Sequence, residues 1–332
     1  MPRTLIALTI LIFITAACSI STGDLPPATA TPAPALPSRE PLKPSPQGTP
    51  PPQPTEAPPA PTRQATLVLP TLTPSEPASA RGWEALLAQA KAASAERYQF
   101  AVEQGAQIVP AADGKSFYVL WLPKGFATAS RRVIIVTLHG HASWAFDELF
   151  LWHPFAAPRG YAILALQWWF GEGERFQDYY SPYEMYPIIE RVLREQKIAR
   201  GDAILHGFSR GSANSYAVTA LDNSTNKYFG LTIANAGGVG LDFPSNVEIE
   251  RGKFGARPFA GTQWLLFCGG RDPNPDRDGC PGMTKARAWI EKYGGTIALF
   301  LQDPEGDHGA FHRNPANVNT ALDLFARLQT TR

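Results

Sequence analysis

Gly207-Phe208-Ser209-Arg210-Gly211 sets a serine between two glycines at the end of an apolar run. Ala203 to His206 reads as a strand, and Ser212 to Ala217 opens a helix, so Ser209 falls on a sharp strand-to-helix turn. Such a turn holds the serine in a strained backbone conformation, and the flanking glycines leave room for close backbone approach. The helix N-terminus beyond it offers unpaired N–H groups to a developing negative charge. The chemistry that suits this arrangement is attack on an acyl carbon by a serine alcohol, provided a base removes its proton. The plainer reading is a serine capping a helix beside turn glycines.

Six histidines are available as that base. His308 follows the last predicted strand, on a loop just before a terminal helix, where it can swing over the sheet toward Ser209. His312, four residues on, is the alternative. His206 precedes the turn and is expected in the core, and His153 lies within a predicted helix without an obvious partner. His139 and His141 flank Gly140 after the first long strand. A carboxylate should orient the imidazole and stabilise its cation. Asp272 follows a strand and the turn Cys268-Gly269-Gly270-Arg271, with Asp276 and Asp278 as alternatives on the same loop. Asp307 adjoins His308 in sequence, which points the two side chains apart. The chain order is therefore Ser209, Asp272, His308.

The elements that must position these residues alternate. Trp83–Arg97 has helical spacing, and Tyr98–Glu103 with Ser116–Leu122 reads as a hairpin around Ala111-Ala112-Asp113-Gly114. Apolar, β-branched runs follow at 133–138, 161–167, 203–206, 228–234, 264–267 and 296–301. Helical patterns lie at 144–157, 182–196, 211–221, 283–292 and 315–329. Strands apolar on both faces and separated by helices imply an α/β fold, with a mostly parallel sheet covered on each side. Function in such sheets belongs at the carboxyl ends of the strands.

Taken together, the order Ser…Asp…His and the Gly-Phe-Ser-Arg-Gly turn resemble the α/β-hydrolase superfamily over nearly the whole of residues 98–330. Leu138-His139-Gly140-His141 resembles that superfamily's His-Gly oxyanion loop, and the resemblance implies an oxyanion hole made by the backbone N–H groups of His141 and Arg210. The extended His-Gly-Gly-Gly loop of one esterase group is absent. The compact layout is similar to dienelactone-hydrolase, feruloyl-esterase and polyester-depolymerase relatives, and no motif selects among them. The expected reaction is hydrolysis of a carboxylic ester without a cofactor. A serine peptidase or acyltransferase of the same fold, or a non-catalytic cell-surface binding module, is the alternative.

Trp168, Trp169 and Phe170, at the end of one strand, with Tyr179 and Tyr180 on the next loop, are candidates for an aromatic wall against substrate; the plain alternative is aromatic packing beneath a loop. Only the short stretch Gly237 to Gly261 separates the sixth and seventh strands, so any lid is small. An open cleft of that kind suits bulky or polymeric esters. Cys268 and Cys280 bracket the Asp272 loop and are expected to pair in an exported protein, or else to remain two reduced buried thiols. Asn274-Pro-Asp276-Arg-Asp278-Gly279 resembles a calcium loop only superficially, because Lys285 stands where an EF-hand needs glutamate. No metal is expected.

The 332 residues divide unevenly, because 18 of the 32 prolines lie between Pro26 and Pro77. Arg3 followed by the 13-residue apolar run Leu5 to Ala17 reads as an export signal. That run is too short for a bilayer, which needs about 20 residues. Cys18 after Ala16-Ala17 looks like the lipidation site of a bacterial lipoprotein, although Thr15 stands where an aliphatic residue is usual; plain secretion is the alternative. Residues 1–18 are thus expected to be signal, 19–80 a Pro/Thr/Ala-rich tether with too few apolar groups to fold, and 81–332 the catalytic domain. A net charge of +1 without a basic stripe argues against nucleic-acid binding, and three cysteines are too few for a disulfide scaffold. The expected partners are an ester substrate and, through the lipid, a membrane, with the protein monomeric.

Overall fold

The computed structural model describes residues 78–330. The expected signal, Cys18 and nearly all of the expected tether lie outside the described residues. Eight strands form one sheet: β1 (Gln107–Pro110), β2 (Phe117–Trp121), β3 (Ile134–Leu138), β4 (Ala162–Leu166), β5 (Ala203–Phe208), β6 (Phe229–Asn235), β7 (Gln263–Gly269) and β8 (Thr296–Asp303), in the order β1-β2-β4-β3-β5-β6-β7-β8. β2 runs antiparallel to β1 and β4; every other pairing is parallel.

Successive strand residues point to opposite faces, and both faces are covered. On one face Ile135, Ile163, Ile204, Ile233 and Leu265 pack against α3 (Ala145–Ala156) and α9 (Pro315–Thr330). On the other, Val136, Leu164 and Leu205 meet α4 (Pro182–Glu195) and α5 (Arg210–Ser224), while Leu266 meets α7 (Cys280–Lys292). Each fully buried aliphatic side chain contributes about 1.5–3 kcal/mol relative to exposure. α4 begins where its sequence dictates, with Pro182 in the first turn and the Glu184 carboxylate accepting from Ser181 N at 2.9 Å. Among the described residues no helix is long and apolar enough to cross a membrane.

The structure corrects the expected hairpin. Tyr98–Glu103 is not a strand but the body of α2 (Ala95–Glu103), separated from α1 (Trp83–Ala93) only by Ser94, and β1 lies further along the chain. The alternating Tyr98, Phe100 and Val102 mimic a strand pattern. In the fold, Tyr98 packs edge-on against Phe146 and Phe100 against Phe150, both on α3, so helix-on-helix packing overrides the alternation. Between β6 and β7 the chain also forms a helix absent from the sequence reading, α6 (Pro244–Glu250), and a short α8 (Ala310–Arg313) precedes α9.

Candidate active site

β5 delivers Ser209 to the carboxyl edge of the sheet in a backbone conformation of φ 53° and ψ −116°, a region that non-glycine residues occupy only under strain. The strain is over-determined by its surroundings. A Cβ at Gly207 would strike the Gly211 carbonyl, and one at Gly211 would strike the carbonyls of Leu138 and His139, so both positions of the turn require glycine. Ser209 N–H donates to the Asn235 carbonyl at the end of β6, at 2.9 Å.

The His139–His141 loop follows β3 and backs onto the same turn, with Gly140 against the Phe208 ring and Ser209. It is pinned from below by Trp168, whose backbone N–H donates to His139 Nε2 at 3.4 Å and whose indole N–H donates to the His139 carbonyl at 3.2 Å. Burial holds the His139 imidazole down at about 4, against the pull of its bond to the Gly140 carbonyl. From above, the Tyr179 hydroxyl meets His141 Nδ1 at 2.9 Å and accepts from Ala142 N–H at 3.3 Å.

Asp272 and His308 arrive on neighbouring loops. His308 Nδ1–H donates to Asp272 Oδ2 at 2.7 Å, while Asp272 Oδ1 accepts from Asn274 N–H at 2.8 Å. The Asp272 side chain is fully buried and the His308 side chain is 28% exposed, so the second imidazole nitrogen is the one left for chemistry. Ser209, His308, His141 and Arg210 line one cleft of about 300 Å³, and the Phe208 and His308 rings lie 5.0 Å apart. Among the described residues no hydrogen bond joins the Ser209 hydroxyl to His308; such contacts tighten on substrate binding in many hydrolases.

No protein-family model and no curated protein matches this sequence. Solved structures do match. One of two fungal esterases from Rhizomucor miehei aligns over 77% of this chain and 97% of its own, at 14% identity and a TM-score of 0.51. A hyperthermophilic esterase from the archaeon Pyrobaculum calidifontis aligns over 74% and 93%, at 11% identity and 0.50. A thermostable esterase aligns at 15% identity and 0.45 over 66% of this chain, which spans only 62% of its length. The sheet order, the strand directions and the likenesses to the Rhizomucor miehei and Pyrobaculum calidifontis esterases agree. This chain has the α/β-hydrolase fold.

Within that fold the remaining candidates separate. Asp278 lies in the cleft, where burial raises its carboxyl, and it offers an oxygen within 4.8 Å of ligand atoms on Asp272 and His308. Asp276 is exposed and pairs with Lys285 at 3.4 Å, and Asp307 pairs with Arg313. His312 faces away from the cleft, buried against Trp152 and His206. His153 packs edge-on against Trp121. Cys268 and Cys280 form a disulfide with Cα atoms 5.0 Å apart, joining the end of β7 to the start of α7 across the Asp272 loop.

Of the five aromatic candidates, Trp168, Tyr179 and Tyr180 line a second cavity of about 200 Å³, next to the cleft and sharing Arg210 with it. Trp169 and Phe170 do not: Trp169 packs on Trp144 at 5.1 Å and Phe170 on Tyr180 at 4.9 Å. Phe176, Tyr183 and Phe243 complete the cavity and escaped the sequence reading, because they sit on irregular connections and helix starts. The side chain of Arg210 escapes it too, because the turn motif speaks only for its backbone N–H.

Proposed function

We propose that the protein is a serine hydrolase acting on carboxylic esters. The reading rests on one observation, the 2.7 Å Asp272–His308 bond on an imidazole that shares a cleft with the strained Ser209. Ser209 Oγ adds to the acyl carbon as its proton passes to His308, and the carbonyl electron pair moves onto oxygen. The backbone N–H groups of His141 and Arg210 receive that oxyanion, each worth roughly 10²–10³-fold in rate. Collapse breaks the ester C–O bond, and the leaving alcohol takes the proton from His308. Water then attacks the acyl-enzyme with His308 again as base; the acid departs and Ser209 regains its proton. The esterases of the same fold favour this reaction over transfer to another acceptor.

A fluorophosphonate probe tests it. The wild type becomes labelled and hydrolyses 4-nitrophenyl esters, while Ser209→Ala does neither. An unlabelled wild type, or a variant that still labels, overturns the reading and favours a binding module.

We further read the protein as exported and anchored through a lipid on Cys18, on the strength of the apolar run 5–17 and of a disulfide that suits an oxidising compartment. Incorporation of labelled palmitate that survives Cys18→Ala would sink the anchor.

A further inference from the structure

Arg210 follows the nucleophile directly, and its side chain borders both the Ser209 cleft and the aromatic cavity. The guanidinium lies over the Tyr179 ring at 4.1 Å, with the Phe176 and Phe243 rings at 5.2 and 5.6 Å. Among the described residues it makes no hydrogen bond or ion pair, and its Nε is buried without a partner. Burial accordingly pulls its pKa down. Asp242 and Asp178 act on it only through space. Asp178 instead accepts from Arg175 N–H at 2.8 Å. The other charged group of the cavity, Glu248, is already engaged by the Tyr183 hydroxyl and by Lys253 at 2.8 Å.

A half-buried guanidinium whose donors are unused is costly unless an anion completes it. The surrounding aromatic rings hold the guanidinium in place while its terminal N–H groups stay unpaired, the arrangement that recognises carboxylates. The cavity is smaller than the 300–1,000 Å³ typical of drug-sized ligands, so it accommodates about one ring.

The geometry points to a substrate-binding subsite for a flat aryl arm that carries a carboxylate, with Arg210 as the residue that selects it. The inference deepens the ester-hydrolase reading and rests on it for the word substrate, although the anion site itself does not.

Two matched pairs of esters read the selection: 4-nitrophenyl 4-carboxybenzoate against its 4-carbamoyl twin, and 4-carboxyphenyl acetate against its 4-carbamoyl twin. They place the carboxylate on the acyl and on the alcohol side. In at least one pair the wild type prefers the carboxylate in kcat/KM by roughly ten- to a hundredfold, as expected for a charged hydrogen bond. Arg210→Gln brings that ratio to about one, and Arg210→Lys retains part of it. Ratios near one for the wild type in both pairs, or a ratio unchanged in Arg210→Gln, overturn the inference. Calorimetric titration with 4-carbamoylbenzoate reads the site without chemistry. Arg210-dependent binding with all four esters untouched would overturn the esterase reading and keep the anion site. Binding equal in wild type and Arg210→Gln would remove the anion site.

Discussion

Among the described residues two histidines pair with buried carboxylates, and only one of these pairs leaves a ring nitrogen open to a cleft. Asp272 and His308 meet at 2.7 Å on loops beyond β7 and β8, with the imidazole 28% exposed. Glu148 of α3 and His206 of β5 lie 3.4 Å apart with neither exposed by more than 3%. The difference is in the second ring nitrogen. His308 spends one nitrogen on its carboxylate and presents the other to a cleft. His206 spends both: Nδ1 meets the Thr137 hydroxyl at 2.9 Å and the Trp152 indole at 3.3 Å, and Nε2 faces the Asn235 amide at 3.1 Å. Burial pushes the Glu148 carboxyl up, but the hydrogen bond and charge of His206, the charge of His312 and the Thr137 hydroxyl outweigh it and hold it at about 2. A histidine–carboxylate pair thus leaves a nitrogen open to the cleft in one place and makes a structural knot in the other.

Substitutions divide along this line. On the proposed serine-hydrolase reading, Asp272→Asn should cost roughly 10⁴-fold in kcat, as in Ser-His-Asp enzymes, with little change in melting temperature; an active variant would break the contrast. Glu148→Leu leaves the Thr137 hydroxyl without its acceptor and removes the carboxylate beside His206, and should lower unfolding stability by roughly 3 kcal/mol in denaturant titrations. The folded fraction should keep its fluorophosphonate labelling rate, and a loss comparable to that of Asp272→Asn would make Glu148 part of the machinery. Opening the disulfide by Cys268→Ser with Cys280→Ser should cost about 2–3 kcal/mol in the chain-entropy view and reduce kcat by loosening the Asp272 loop.

The smallest effect is of pH. Burial lowers His139 to about 4 and, with the charge of His206, lowers His312 to about 3. The unfolded chain takes up these protons near 6.5 and the native state does not, so stability falls as pH drops below 6.5. Each should lose about 1 kcal/mol between pH 6 and pH 5 by thermal melts, whereas Glu148 stays ionised throughout. His312→Phe should flatten half of that slope.

The residues of the cleft were legible because each stands just after a strand, where an α/β sheet gathers its functional groups. Ser209 stands on a turn of distinctive composition, and Asp272 and His308 end consecutive strand–loop units. The knot was not legible. Glu148 is the lone glutamate of an apolar helix, and nothing in its spacing announces His206 far along the chain. The aromatic cavity was half legible, since Trp168, Tyr179 and Tyr180 cluster near one strand end while Phe243 comes from the β6–β7 connection. The α2 error has the same origin, because a short aromatic alternation fits either period until its packing partner is known.

The loops bearing Asp272 and His308 are stitched backbone to backbone: Gly270 N–H donates to the Asp303 carbonyl and Arg271 N–H to the Gly306 carbonyl, both at 2.8 Å. Asp272 and His308 therefore ride on a shared raft that continues the β7–β8 ladder. For the proposed serine hydrolase, a shift that brings the imidazole toward Ser209 carries the carboxylate along, so the Asp272–His308 bond is made before substrate arrives.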